Sequence, residues 1–114
     1  WGATLTLPQQ GAMAESPTLF SYGGAYYLLY NNTSNGEEYR IGQTQVGPWS
    51  DAFSLPAGWA NEIWEGLDGL VYTSFLHGYE LVIEKTLWDD TYSPPRLFVN
   101  ASTHTFFIPI LLNP

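Results

Sequence analysis

Carboxylates and indoles are the side chains of this sequence that could perform chemistry. Glu15 directly precedes Ser16-Pro17, Glu62 lies two residues before Trp64, and Trp49 follows a Gly-Pro pair. A carboxyl group transfers protons near neutral pH when partial burial or a neighbouring negative charge raises its pKa. An indole can stack on the C–H face of a sugar. The plainer interpretation makes Glu15 a solvated loop residue and makes the indoles packing residues.

Several other classes of chemistry are excluded by the residue types present. The sequence has no cysteine, which removes disulfides, thiolate metal sites and cysteine nucleophiles. His77 and His104 have no His, Asp or Glu at metal-ligand spacing. Neither a glycine-rich phosphate loop nor a nucleophile elbow occurs. We therefore expect no metal and no cofactor.

The charge balance excludes two kinds of partner. The chain of 114 residues has 11 acidic and 3 basic side chains, which gives a formal net charge of −8. Three cations are too few for a surface that follows nucleic-acid phosphates or anionic lipid. The late apolar stretch 106–112 is interrupted by Pro109 and is too short to span a bilayer. An acidic, aromatic-rich surface suits neutral polar ligands such as carbohydrates.

Aromatic and β-branched residues favour strands, and the composition indicates an all-β protein. Aromatic residues make up 17% of the chain, and 11 Gly and 8 Pro are spread through it, which disfavours long helices. Asn35-Gly36 is the strongest hairpin signal, and His77-Gly78 predicts a second tight turn. The predicted strands are 4–7, 18–21, 25–31, 38–46, 70–76, 79–87, 97–100 and 105–111.

A weak internal repeat links two of these strand pairs. Residues 24–30 (GAYYLLY) align with residues 69–75 (GLVYTSF) at an offset of 45, and Tyr39 aligns with Tyr79 at an offset of 40. A period of about 40–50 residues in antiparallel strands is typical of propeller blades. The alternative is a β-sandwich that contains two unrelated hairpins.

A series of motifs occurs in a familiar order. Trp1 is followed by the segments 15–20 (ESPTLF), 24–30 (GAYYLLY), 39–42 (YRIG) and 47–49 (GPW). This series resembles the middle of a five-bladed β-propeller glycoside hydrolase of the family 43, family 32 and family 68 type. In those families a Glu-X-Pro motif opens the third blade and its Glu is the general acid. The resemblance thus implies that Glu15 is a catalytic acid. Glu62 and Trp64 could line the same tunnel, where Trp64 could stack on a sugar, and Trp49 is a third candidate substrate contact.

The resemblance also implies how the chain is organised. Residues 1–114 would form one partial propeller domain of antiparallel four-stranded blades. Residues 1–14 would end a preceding blade, 15–60 and 61–100 would each form a blade, and 101–114 would be a closing strand or an interface. The two Asp residues that such hydrolases carry on earlier blades are absent, so the isolated chain is expected to be inactive. Its partners would be carbohydrate and either the remaining blades or further copies.

Two further expectations complete the sequence-based picture. We expect an extracellular location, where the sequons beginning at Asn31, Asn32 and Asn100 could be glycosylated. The rival to the hydrolase interpretation is a non-catalytic β module that binds carbohydrate or assembles with itself. Glycan affinity or large oligomers that persist in Glu15→Gln would favour that rival.

Overall fold

The computed structural model describes residues 14–33, 36–55, 58–98 and 106–108. In these ranges every regular element is a β-strand and every strand pair is antiparallel, which confirms the all-β expectation. The strands are β1 (Ala14–Tyr22), β2 (Ala25–Asn32), β3 (Gly36–Gly42), β4 (Phe53–Ser54), β5 (Trp59–Glu65), β6 (Val71–His77), β7 (Glu80–Lys85), β8 (Leu87–Asp89), β9 (Arg96–Phe98) and β10 (Phe106–Ile108).

The strands form two four-stranded sheets and one hairpin. The first sheet has the order β1-β2-β3-β4, and the second has the order β5-β6-β7-β10. In both sheets the order of the strands in space follows their order along the chain. The β8–β9 hairpin is inserted between the third and fourth strands of the second sheet. The described part of the late apolar segment therefore adds an outer strand, as one of our two expectations for it proposed.

Glycine residues form the tight turns of two hairpins, and the turn predicted at His77-Gly78 is one of them. Gly23 and Gly24 have φ of 56° and 78° and connect β1 to β2, and Gly78, with φ of 63°, connects β6 to β7. These left-handed conformations cost little for glycine because it has no Cβ. The resulting tight turns fix the register of the paired strands.

The main core lies between the two sheets. Tyr27, Leu29 and Tyr39 of the first sheet belong to the same buried cluster as Phe75 and Val82 of the second. Tyr27 and Leu29 are fully shielded from solvent. Burying a large apolar side chain contributes about 1.5–3 kcal/mol, so this interface is the main source of stability that the described residues offer.

The β8–β9 hairpin extends the same core. Leu97 of β9 is buried, and Trp88 of β8 stacks on Tyr22 with ring centroids 3.8 Å apart and planes 5° apart. The Tyr27 hydroxyl donates a hydrogen bond of 2.5 Å to the Pro95 carbonyl oxygen. These contacts attach the hairpin to the inner face of the first sheet, at the end beside the β1–β2 turn.

The first strands of the two sheets share an irregularity. β1 contains a β-bulge between Glu15 and Thr18, and β5 contains one between Trp59 and Glu62. Each bulge holds a non-glycine residue at positive φ: Ser16 at 51° and Ala60 at 57°. The bulges therefore supply a structural alignment of the two sheets that does not depend on the sequence repeat.

That alignment confirms half of the repeat and corrects the other half. Phe20 pairs with Tyr27 and Trp64 pairs with Tyr72, which supports the offset of 45 between β2 and β6. The equivalence of Tyr39 and Tyr79 is wrong. Tyr39 faces Leu29 in the ladder and is buried, whereas Tyr79 lies in the β6–β7 turn and is fully exposed. The position equivalent to Tyr39 is Ile83, because Ser74, the counterpart of Leu29, pairs with Ile83.

Equivalent positions of the two sheets are buried on opposite faces. Phe20 and Tyr27 lie on the face of the first sheet that packs against the second. Their counterparts Trp64 and Tyr72 are half-buried on the other face of the second sheet, since Ile63 and Thr73 occupy the face toward the first. The sheets therefore stack front to back, whereas a symmetric sandwich would bury the same face of each.

The sequence-based strand assignment missed one strand, and another strand that it predicted is not tested by the structure. β5 was not predicted, because its polar residues Asn61, Glu62 and Glu65 hide the alternation that burial requires. The predicted strand 4–7 lies outside the described residues.

No helix in the part of the chain that the structure describes is long and apolar enough to cross a membrane.

Candidate functional site

Glu15 lies at the bulged end of β1. It pairs with Asn31 of β2, and its side chain is exposed. Ser16 produces the bulge through its positive φ, and Pro17 follows with its own fixed φ. A bulge re-aims side chains at a strand end, and bulges are over-represented next to active sites. In this chain, however, Glu15 lacks the partial burial that a general acid requires.

A second carboxylate occupies the same cross-strand row. Glu15 pairs with Asn31 and Asn31 pairs with Glu37, so the two acidic residues are separated by about 10 Å, or two strand spacings. Glu37 is only 5% exposed, and neither of its carboxylate oxygens makes a hydrogen bond of good geometry. Burial removes it from contact with a substrate of Glu15.

The environment of Glu37 is the bulge of the second sheet. Burial raises the pKa of its carboxyl group, and the Asn61 side chain and the backbone amides of Ala60 and Asn61 offset part of that rise. Sequence analysis did not single out Glu37. The predicted strand began at Glu38 and so left Glu37 outside it, whereas β3 begins at Gly36. The available signal was the adjacent pair Glu37-Glu38 at the start of that strand, because consecutive residues of a strand point to opposite faces.

Glu38 is buried in a polar network on the opposite face of the first sheet. One of its oxygens accepts hydrogen bonds from the Tyr30 hydroxyl at 3.0 Å and from the Asn32 amide at 3.3 Å. Arg40 donates to the Tyr30 hydroxyl oxygen at 2.9 Å. Burial, the largest influence, raises the pKa of Tyr30. Because Asn32 is 6% exposed and uses its amide here, the folded chain offers this sequon poorly to a glycosyl donor.

Glu62 and Trp64 lie together on the outward face of the second sheet. Trp64 stacks on Tyr72, with ring centroids 6.1 Å apart and planes 28° apart. The Tyr72 hydroxyl donates a hydrogen bond of 2.5 Å to the Asp68 carboxylate, which lowers the pKa of Asp68 and raises that of Tyr72. The result is an aromatic pair with two exposed carboxylates, Glu62 and Asp68, in the surrounding strands and turn.

Trp49 lies far from these residues. It forms an isolated bridge with Gly42, which pairs with Tyr26 at the opposite end of β2 from Asn31. Five residues of strand separate those two ends, a distance of about 17 Å. The four residues predicted to act together thus occupy three places: Glu15 at one end of the first sheet, Trp49 at the other, and Glu62 with Trp64 on the second sheet.

The described residues also form an open cavity of about 640 Å³ beside Trp49. Its walls come from the β1–β2 turn, the loop after β3 and the β8–β9 loop. The residues that line it include Gly24, Trp49, Phe53, Tyr92, Pro94 and Arg96. The Arg96 guanidinium carbon lies 3.8 Å from the centroid of the Tyr92 ring and 4.7 Å from that of Phe53.

No metal centre is present among residues 14–33, 36–55 and 58–98, where no three His, Asp or Glu side chains come close enough to hold an ion.

Comparison of the chain with protein-family models, with curated proteins and with solved structures finds no match.

Proposed function

We propose that this chain supplies two consecutive blades of a five-bladed β-propeller of the glycoside hydrolase type, with Glu15 as the general acid for hydrolysis of glycosidic bonds. The single observation that carries the proposal is the front-to-back stacking of two equivalent four-stranded meanders. In a propeller the front face of each blade packs against the back face of the next blade. Residues that point toward the neighbouring blade in the first sheet therefore have counterparts in the second sheet that point away from the first. The relation between Phe20 and Trp64 follows that rule.

The outward face of the second sheet supports the need for a further layer. Trp64, Tyr72, Ser74 and Ile83 on this face correspond to Phe20, Tyr27, Leu29 and Tyr39, which are the residues through which the first sheet covers the second. When sheets stack front to back, the last sheet of the stack keeps one face that no other sheet covers. The proposed cover is another blade, contributed by a different segment of the same polypeptide or by another copy of the chain.

The position of Glu15 supports its proposed role. It lies at the bulge of β1, the first strand of its sheet, and the equivalent strand β5 contacts the first sheet. In a propeller the first strand of each blade lines the central tunnel, so a carboxylate at its end would stand at the tunnel mouth. Additional blades would supply both the burial that raises the pKa of an acid and the opposing carboxylate that glycoside hydrolysis requires.

Glycosidase activity of the intact polypeptide that contains this chain tests the proposal. The assay would use a panel of aryl glycosides and polysaccharides. Glu15→Gln should lower kcat by about 10²–10⁴-fold, the usual contribution of a general acid. Glu80→Gln, an exposed change at the β6–β7 turn, is the matched control and should leave activity unchanged.

The leaving group adds a sharper measurement. An activated nitrophenolate needs little protonation, so Glu15→Gln should lower the rate on aryl glycosides with good leaving groups much less than the rate on natural linkages. Equal losses on both substrates, or full activity in Glu15→Gln, would refute the assignment of Glu15 as the acid.

The stacked pair of Trp64 and Tyr72 favours a second candidate, a module that binds carbohydrate without hydrolysing it. The two rings are half-buried on a sheet face with Glu62 beside them, an arrangement that suits a sugar ring and its hydroxyls. This candidate predicts glycan affinity that persists in Glu15→Gln and is lost in Trp64→Ala. The propeller proposal predicts instead that Trp64→Ala weakens association with the next blade.

A further inference from the structure

The cavity beside Trp49 is built entirely from segments of this chain. The Gly23–Gly24 turn, the loop after β3 and the β8–β9 loop form its walls, and its volume of about 640 Å³ falls within the usual range of about 300–1,000 Å³ for small-molecule sites. It lies at the end of the first sheet remote from Glu15. The cavity is therefore separate from Glu15, the proposed general acid, although its lining includes Trp49, which the sequence analysis counted among the substrate contacts.

Arg96 gives the cavity a charge opposite to that of the protein. It is the charged residue among the described residues that line the cavity, in a chain whose formal net charge is −8. The rings of Tyr92 and Phe53 hold its guanidinium in place. Contacts with ring faces use none of its N–H donors in conventional hydrogen bonds. Its ladder partner Asp89 is a charged neighbour, and the Asp89 carboxylate accepts hydrogen bonds from the Thr91 amide and hydroxyl. The donors are thus available to a ligand.

The remaining walls suit a sugar ring, which presents a face of C–H groups and carries hydroxyl groups around it. The Trp49 indole is held against Gly42, where a Cβ atom would lie 2.7 Å from a ring carbon, and Tyr92 offers a second aromatic surface. Gln43 and Ser93 add an amide and a hydroxyl to the lining. Aromatic faces accept the C–H side of sugars, while the fork of an arginine matches a carboxylate with two parallel hydrogen bonds.

We propose that this cavity binds a small sugar acid, with its carboxylate on Arg96 and its ring against Trp49 and Tyr92. The negative charge of the protein opposes long polyanions, which favours a single residue or a chain end. This inference goes beyond the proposed glycosidase and does not depend on it.

Nuclear magnetic resonance titration of the chain with matched pairs of sugars tests the inference. D-galacturonate would be compared with D-galactose, and D-glucuronate with D-glucose. At least one acid should bind roughly tenfold to a hundredfold more tightly than its neutral partner, because a charge-assisted hydrogen bond is lost. The shifted signals should include the Trp49 indole N–H and the Arg96 side chain. Equal affinity within both pairs, or shifts confined to other regions, would overturn the proposal.

Charge variants identify the receptor group. Arg96→Gln should reduce affinity for the acid to that for the neutral sugar, whereas Lys85→Gln, which removes an exposed charge from β7, should change it less than twofold. If Arg96→Gln does not fold, Arg96→Lys is the alternative variant. It retains the positive charge but cannot donate two parallel hydrogen bonds to a carboxylate, so it should still weaken binding severalfold. Binding that is unaffected by either folded Arg96 variant would refute the site.

Glu15→Gln separates this inference from the proposed glycosidase. It should bind the sugar acid as the unmodified chain does, because the two places lie at opposite ends of the first sheet. Absence of glycosidase activity would count against the proposed function and leave the cavity intact. Loss of sugar-acid binding in Glu15→Gln would count against the separate site.

Discussion

Ser16 and Ala60 occupy equivalent positions in the two sheets, and both have the left-handed backbone conformation that L residues rarely adopt. Their φ angles are 51° and 57°, and each creates the bulge in the first strand of its sheet. Two independent hairpins would have little reason to share a strained residue at the same ladder position. The pair is thus structural support for a duplicated unit.

Glycine at these positions should stabilise the protein. A left-handed conformation costs a non-glycine residue about 1–2 kcal/mol, and glycine loses about 0.5–1 kcal/mol through its greater freedom when unfolded. Ala60→Gly should therefore raise the free energy of unfolding by about 0.5–1 kcal/mol, measured by urea denaturation. Ser16→Gly should shift it in the same direction.

Ala52→Gly is the matched control for that pair. Ala52 is exposed and is not among the residues with positive φ, so glycine there should be neutral or lower the free energy of unfolding by up to about 1 kcal/mol. A loss of stability in Ala60→Gly as large as that in Ala52→Gly would show that the bulge is not strained.

The sequence predicted the strands in which aromatic and β-branched residues alternate between turns, and it failed where burial involves polar groups. β2 and β6 follow glycine turns and match their predicted ranges closely. β5 was missed because Asn61 is buried in it, and its side-chain amide donates a hydrogen bond to the Gly58 carbonyl three residues earlier. Hydrophobic periodicity cannot indicate that a polar residue is buried in this way. The false equivalence of Tyr39 and Tyr79 arose because residue type was matched without knowledge of the ladder register.

Burial of Glu37 between the sheets should make stability depend on pH. Because burial raises its pKa, the folded protein retains a proton that the unfolded chain has already lost at the same pH. Stability is therefore undiminished below the unfolded pKa of about 4.3 and falls as pH rises toward the folded value. Glu37→Gln cannot ionise and should be more stable than the unmodified protein at pH 7, with a smaller difference at pH 4.

The measurement for Glu37 is chemical denaturation between pH 4 and pH 8. Glu62→Gln is its control, since Glu62 is exposed on β5 and this substitution should change stability at pH 7 by less than about 0.5 kcal/mol. If the advantage of Glu37→Gln did not grow with pH, the carboxylate would have to be better solvated than its 5% exposure indicates.

The candidate sites were less accessible to sequence reasoning than the strands. Glu15 was identified through its neighbours Ser16-Pro17, and the bulge found there is a feature of the backbone that those residues only hint at. Arg96 gave no signal, because its position over Phe53 and Tyr92 results from the insertion of the β8–β9 hairpin beside the first sheet. Residues that come together only through such tertiary placement lack a sequence spacing that could reveal them.

The contact between Gly42 and Trp49 should tolerate no side chain at residue 42. A Cβ atom there would lie 2.7 Å from one Trp49 ring carbon and 2.9 Å from the Thr44 carbonyl oxygen, so Gly42→Ala must displace the indole or the loop. Such overpacking should lower the free energy of unfolding by about 1–3 kcal/mol and shift the Trp49 indole N–H signal. Gln45→Ala, at an exposed position of the same loop that does not line the cavity, should change stability by less than about 0.5 kcal/mol. Because Trp49 forms a wall of the cavity, Gly42→Ala should also weaken sugar-acid binding. If the two variants had the same stability and the same affinity for the sugar acid, the indole would not be held against residue 42.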